Sequence, residues 1–121
     1  ANALRFDSNV VYNLKATQIH ADAGVPNAVP GNATVTFDLR SQSNDVMDLM
    51  IKKLTNAAKN AAASIGAEAV ENILHSTPAS IITPEVTNII AEVIKEKLGS
   101  QALIPPITTA GGEDFFWYPK A

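Results

Sequence analysis

The sequence predicts an α+β fold, an antiparallel sheet with helices on one face, and three observations carry that expectation. Residues 10–21 and 33–40 alternate apolar with polar side chains, the period of a half-buried strand. A stretch dense in Gly, Pro and Asn separates them. Residues 45–65 and 83–99 instead repeat apolar side chains at three- and four-residue steps, the period of an amphipathic helix.

In the first strand Val10, Tyr12, Leu14 and Ala16 alternate with Val11, Asn13, Lys15 and Thr17. The phase then slips, because Gln18 is polar and Ile19 apolar; one extra residue in a bulge near residues 16–18 would swap the faces. Val25 and Val29 each precede a proline and are pushed towards extended backbone. The second strand turns Ala33, Val35, Phe37 and Leu39 to a core and Thr34, Thr36, Asp38 and Arg40 away from it. The helix over 45–65 has Ser43 or Asn44 for its N-cap and Asp45 at the positive end of its dipole. Gly66 is placed to end it in the left-handed conformation.

Met47, Met50, Leu54, Ala58, Ala61 and Ile65 form that helix's stripe, and its Ala-rich second half is expected close to a sheet. A short strand is expected over 68–74 and a connector over 76–82, where a shift in composition marks a boundary between two structural units. Thr83-Pro84-Glu85 then opens the last helix in favourable order: cap, Pro at the first position, acid in the first turn. Val86, Ile89, Ile90, Val93, Ile94 and Leu98 form its stripe, and Gly99 stops it. The tail from Leu103 reads as extended, with a turn at Gly111-Gly112 ahead of Glu113-Asp114-Phe115-Phe116-Trp117-Tyr118.

Composition narrows the function classes. At 121 residues the chain is one domain, or one small domain and a piece of another. Its 46% hydrophobic and 17% charged residues are globular values. A net charge of −3, with no Lys/Arg run, argues against a nucleic-acid partner. The absence of cysteine rules out disulfides, thiolate metal sites and a Cys nucleophile. No apolar run approaches the roughly 18 residues of a membrane span, and no signal peptide is visible, so no membrane partner and a cytoplasmic location are expected. The first residue is Ala1 rather than Met, which reads as a processed or excised chain.

Two phrases carry most of the functional signal, Val25-Pro26-Asn27-Ala28-Val29-Pro30 and Phe37-Asp38-Leu39-Arg40. They set a turn-held amide at Asn27 and a guanidinium at Arg40, the second strand's only cation. The plain structural reading makes Asn27 an Asx turn and Arg40 a surface partner of Asp38. The functional reading makes them an anchor for a carboxylate or acyl-amide oxygen, since Arg grips a carboxylate through two parallel hydrogen bonds.

Other candidates are weaker. His20 and Asp22 share a strand face, yet a hydrolytic metal site needs a third ligand, and His75 has no acid spaced to match. Glu113 and Asp114 after Gly112 fit either a helix N-terminus or the rim of a pocket floored by Phe115 and Trp117. The sequon Asn32-Ala33-Thr34 is read as chance in a chain with no secretory signal.

The run Ile19-His20-Ala21-Asp22-Ala23-Gly24-Val25-Pro26-Asn27-Ala28-Val29-Pro30, followed by Phe37-Asp38-Leu39-Arg40-Ser41-Gln42-Ser43-Asn44, resembles the lid domain of the aminoacylase-type di-metal peptidases. The resemblance is closest to their amidohydrolase branch, which cleaves N-acyl amino acids and related amides. Pro105-Pro106-Ile107-Thr108-Thr109-Ala110-Gly111-Gly112-Glu113-Asp114-Phe115 is similar to that family's Gly-Glu-Asp-Phe segment in the catalytic domain. The resemblance implies a partial ferredoxin-like lid, the dimerisation domain, over 1–78, and a helix and extended tail from an α/β catalytic domain over 79–121. It implies a homodimer, a small N-acyl amino acid as substrate, and two divalent metals (Zn, Mn, Co or Ni) in the parent enzyme. Asn27 would hydrogen-bond the substrate and Arg40 hold its carboxylate, at times in the partner subunit's site; Gly112, Glu113 and Asp114 would sit beside the catalytic site.

The departures are equally informative. The family's His/Cys-x-Asp/His metal motif, its Glu-Glu pair with the general base and its late His ligand have no counterpart in this sequence. No catalytic set is complete and no metal ligand is assigned, so the chain alone is expected to be inactive. A competing expectation, from a different class, is a non-catalytic association module that pairs through an exposed strand edge.

Overall fold

The computed structural model describes residues 11–80, 82–106 and 111–120, and these form an α+β arrangement. The chain divides into two compact units, Ala1–Ser76 and Thr77–Ala121. Val10 of the first strand, residue 81 of the connector and Ile107-Thr108-Thr109-Ala110 of the tail lie outside the described residues.

In the first unit β1 (Tyr12–His20) and β2 (Thr34–Ser41) pair antiparallel as a two-stranded sheet. Leu14 stands opposite Leu39 and Ala16 opposite Phe37, so these four share the apolar face. The ladder then breaks between Ala16 and Gln18, and Thr17 is the extra residue. Its hydroxyl donates to the Thr36 carbonyl at 3.2 Å, which satisfies the hydroxyl across the break. Beyond it Gln18 opposes Thr36 and Ile19 opposes Val35, so the expected swap of faces occurs where the sequence pattern slips.

Helix α1 (Asn44–Ala63) follows β2 at once and packs against it. Ser43 is its N-cap, with extended φ −129° and ψ 131°, and its Oγ accepts from the Val46 N–H at 3.4 Å. The far end closes as a Schellman motif: the Ala67 N–H donates to Ala62 O and the Gly66 N–H to Ala63 O, at 3.0 and 3.1 Å. Gly66 has φ +73°, the left-handed conformation in which a Cβ would be strained.

Packing on α1 is confined to its first half. Met50 is fully buried, and Val46, Met47, Ile51 and Leu54 are half-buried. The expected stripe stops there: Ala58 and Ala61 are exposed, and Ile65 is 81% exposed. The Ala-rich half therefore does not lie against a sheet. Two strands, about 5 Å apart, are too narrow a platform for a helix about 30 Å long.

The strand expected over 68–74 does not form; residues 67–80 have no regular secondary structure. Val70 and Leu74 are exposed there, and no described strand offers them a partner. A strand exists only through its neighbour's hydrogen bonds, so apolar composition alone does not make one. The segment is instead tied to α1 by the Thr55 hydroxyl, which donates to the Glu71 carboxylate.

The second unit is built on α2 (Pro84–Leu98), which opens with Pro84 at its first position and Glu85 in its first turn. Thr83 takes extended geometry at the N-cap, but its side chain makes no capping bond. Gly99 ends the helix at φ +85°, its N–H donating to Lys95 O at 3.0 Å. A 3₁₀ turn over Ser100–Ala102 packs against α2, and a second spans Asp114–Lys120. The turn expected at Gly111-Gly112 borders residues 107–110, which lie outside the described ones; residues 111–113 have no regular secondary structure ahead of the 3₁₀ turn that begins at Asp114. No helix among the described residues is long and apolar enough to cross a membrane.

Met50 is the only hydrophobic side chain in the described core that is fully buried. Met50→Ala should therefore lower the unfolding free energy of the first unit by about 2–3 kcal/mol. Leu49→Ala, at a site 42% exposed on the same helix, should cost less than half as much. Urea titration followed by far-UV circular dichroism reads both; equal losses would refute a core centred on Met50.

Candidate functional site

The β1–β2 register gathers the polar side chains on one face of the hairpin. Asn13 stands opposite Arg40, Lys15 opposite Asp38, and His20 opposite Thr34. Asp38 and Arg40, two apart on β2, project to the same side. The Arg40 Nε–H donates to Asp38 Oδ2 at 2.9 Å, with the two side chains 47% and 39% exposed. So solvated a pair contributes at most about 1 kcal/mol to stability; its larger effect is to aim the guanidinium. The arrangement suits a planar anion, because a guanidinium carries five donors in a rigid fork and no acceptor.

Asn27 sits in the loop at the other end of the hairpin. Val25-Pro26-Asn27-Ala28 form a β-turn, closed by the Ala28 N–H donating to Val25 O at 3.4 Å. Pro26 occupies the second position, and no described non-glycine residue has positive φ, so the turn is type I rather than type II. The Asx bond in this loop belongs to Asp22, whose Oδ1 accepts from the Gly24 N–H at 2.7 Å. Asn27 itself is exposed. Thr34, where the loop enters β2, precedes Arg40 by six residues, roughly 20 Å of strand. The hairpin thus sets Arg40 at the end of β2 opposite to the one where the Asn27 loop enters the strand.

His20 ends β1, and the Asp22 carboxylate beyond it is engaged in the Asx turn. Among the described residues no group of three or more His, Asp or Glu is placed to hold a metal ion. The described side chains do not by themselves fit a di-metal centre.

Gly112, Glu113 and Asp114 belong to the second unit. Asp114 begins the 3₁₀ turn, and the Glu113 carbonyl accepts from the Phe116 N–H at 3.2 Å. Both acids are exposed. A Cβ at Gly112 would meet the Thr77 side chain at 3.8 Å, ordinary contact, so space alone does not demand glycine there. Phe115 stacks tilted on Tyr118 with ring centroids 5.1 Å apart, yet Phe115, Trp117 and Tyr118 are all exposed.

Asn13 and Lys15, the cross-strand neighbours of Arg40 and Asp38, were not singled out by sequence reasoning. Their alternation was visible; which residues they oppose depends on a register that Thr17 sets. Comparison with protein-family models, characterised proteins and solved structures returned no match.

Asp38→Asn and Arg40→Ala should each change the unfolding free energy by less than about 1 kcal/mol, read from urea midpoints. A loss of 2 kcal/mol or more would make the pair a structural tie instead of a solvated, ligand-accessible one.

Proposed function

We propose that this chain is part of a metal-dependent amidohydrolase cleaving N-acyl amino acids or related amides, in which it supplies substrate anchors and not the reacting groups. The β1–β2–α1 unit corresponds in this reading to part of a ferredoxin-like lid, and the second unit to a piece of the catalytic domain. The carrying observation is Arg40: a strand-borne guanidinium, exposed and braced by Asp38 at 2.9 Å, on a polar face with Asn13. The resemblance of the Asn27 and Arg40 segments to that family's lid supports the same role. Arg40 takes the substrate carboxylate through its fork, and Asn27 hydrogen-bonds the acyl amide. Because roughly 20 Å of strand separates Arg40 from the point where the Asn27 loop enters β2, one small substrate meets both residues most readily when they come from different copies. A homodimer supplies that arrangement.

A second reading has its own observation. The sheet has only two strands, so β1 and β2 each present an edge with no third described strand. Such edges pair readily with another chain, which favours an association role.

In the enzyme that contains the metal-bearing segments, Arg40→Ala should lower kcat/KM by roughly 30-fold or more, about 2 kcal/mol of lost transition-state binding. Arg40→Lys should recover only part of it, because an ammonium lacks the fork. An unchanged kcat/KM for Arg40→Ala overturns the anchor assignment. The chain assayed alone should show no chelator-sensitive hydrolysis of N-acetyl amino acids; turnover abolished by a chelator would refute the division of labour.

A further inference from the structure

We propose that Lys15 is a positioning residue of the Arg40 anion site, neutralising Asp38 when Arg40 takes a ligand carboxylate. The inference rests on the reading of Arg40 as a carboxylate anchor and supplies the second cation that such an anchor needs. It follows from the register of the hairpin. Lys15 stands directly opposite Asp38, and Arg40 lies two residues beyond Asp38 on β2, diagonal to Lys15. Opposed side chains on one face have Cβ atoms roughly 5 Å apart, and diagonal ones roughly 7–8 Å. A lysine stem spans either gap.

Charge defines the role. The charged side chains of β1 and β2 are Lys15, Asp38 and Arg40, with His20 the one further basic group, at the loop end of β1. Asp38 answers Arg40 at 2.9 Å. Lys15 is exposed, with no ion pair or hydrogen bond of its own among the described residues. The guanidinium holds Asp38 because the two are neighbours on one strand and its bond is directional, while the ammonium stays in water. Once a ligand carboxylate joins the guanidinium, two carboxylates share one cation and repel across a few ångströms. Lys15 removes that penalty by pairing with Asp38 across the ladder.

Two cations then meet two carboxylates, so the face balances one ligand carboxylate and not a second. Asn13, opposite Arg40, is neutral and adds hydrogen-bonding capacity without altering that balance. The ligand class is accordingly a monocarboxylate whose remainder is uncharged, such as an N-acyl derivative of a neutral amino acid.

The test titrates the isotope-labelled full chain with sodium N-acetylglycinate at constant ionic strength, following the Arg40 Nε–H and the β1–β2 amides by NMR. N-acetylglycinamide is the neutral control. The carboxylate should shift these resonances saturably, the amide should not, and Arg40→Ala should abolish the response. Lys15→Met should weaken binding about fivefold, and Lys15→Arg should restore it to within about twofold. In an Asp38→Asn background Lys15→Met should weaken it by less than about twofold, because no second carboxylate remains to be neutralised. Far-UV circular dichroism confirms that each variant keeps its fold. An Arg40-dependent response that Lys15→Met leaves unchanged overturns this inference alone. So does an equal loss in both backgrounds, the mark of general attraction to a positive face. A response no greater to the carboxylate than to the amide, or one that survives Arg40→Ala, overturns the anchor reading as well.

Discussion

Thr17 is one residue without a partner in the β1–β2 ladder, and the character of both sheet faces depends on it. Side chains along a strand alternate with period two, so a strand that needs one more residue than its partner inverts every position beyond the break. Were Thr17 paired in the ladder instead of bulged out, Gln18 would oppose Val35 and Ile19 would oppose Thr34, putting an amide on the apolar face and an isoleucine among the polar groups. With Thr17 bulged out, Ile19 joins Val35 on the side of Leu14 and Leu39, while Gln18 and His20 continue the row begun by Asn13 and Lys15. The polar face that carries Arg40 is continuous because the break is there.

The apolar face depends in turn on how far α1 reaches. Ser43 starts the helix two residues after β2 ends, so its first turns have nowhere to lie but against the strand they left. Met50 is buried as a result, and Tyr12, Leu14, Phe37 and Leu39 are half-covered. Cover is lost towards the loop, where Ile19 is 76% exposed and Val35 44%. A two-stranded sheet is at best marginal without a helix against it, so the core of the first unit is small and concentrated at one end.

Local signals were legible in the sequence and non-local ones were not. The bulge, the Ser43 cap, the Schellman close at Gly66 and the stop at Gly99 each follow from side chains a few residues apart. The strand expected over 68–74 failed because its hydrogen bonds must come from a distant segment, and composition does not say whether one is in reach. The Ala-rich half of α1 failed likewise: small side chains permit close approach to a sheet but do not supply the sheet. For the candidate site, the pairing of Asp38 with Arg40 was implicit in their two-residue spacing. Their relation to Asn27 was not, since the path of a thirteen-residue loop over 21–33 cannot be read from its turn-forming residues alone.

The weakness of the Asp38–Arg40 pair is what makes Arg40 suitable as an anchor. A buried pair would have to be broken at several kcal/mol before the guanidinium met another anion. A solvated one exchanges partners for almost nothing, because water screens the attraction it gives up. Asp38 then limits the side chain's rotamers in the absence of ligand, which lowers the entropy lost on binding. Affinity for a carboxylate would come from what excludes water around the new pair, and a single exposed hairpin excludes little. As the anchor proposed for Arg40, the polar face of β1–β2 would be only half of a site: whichever surface closed over it, from a second copy or from the rest of an enzyme, would determine how tightly an anion was held.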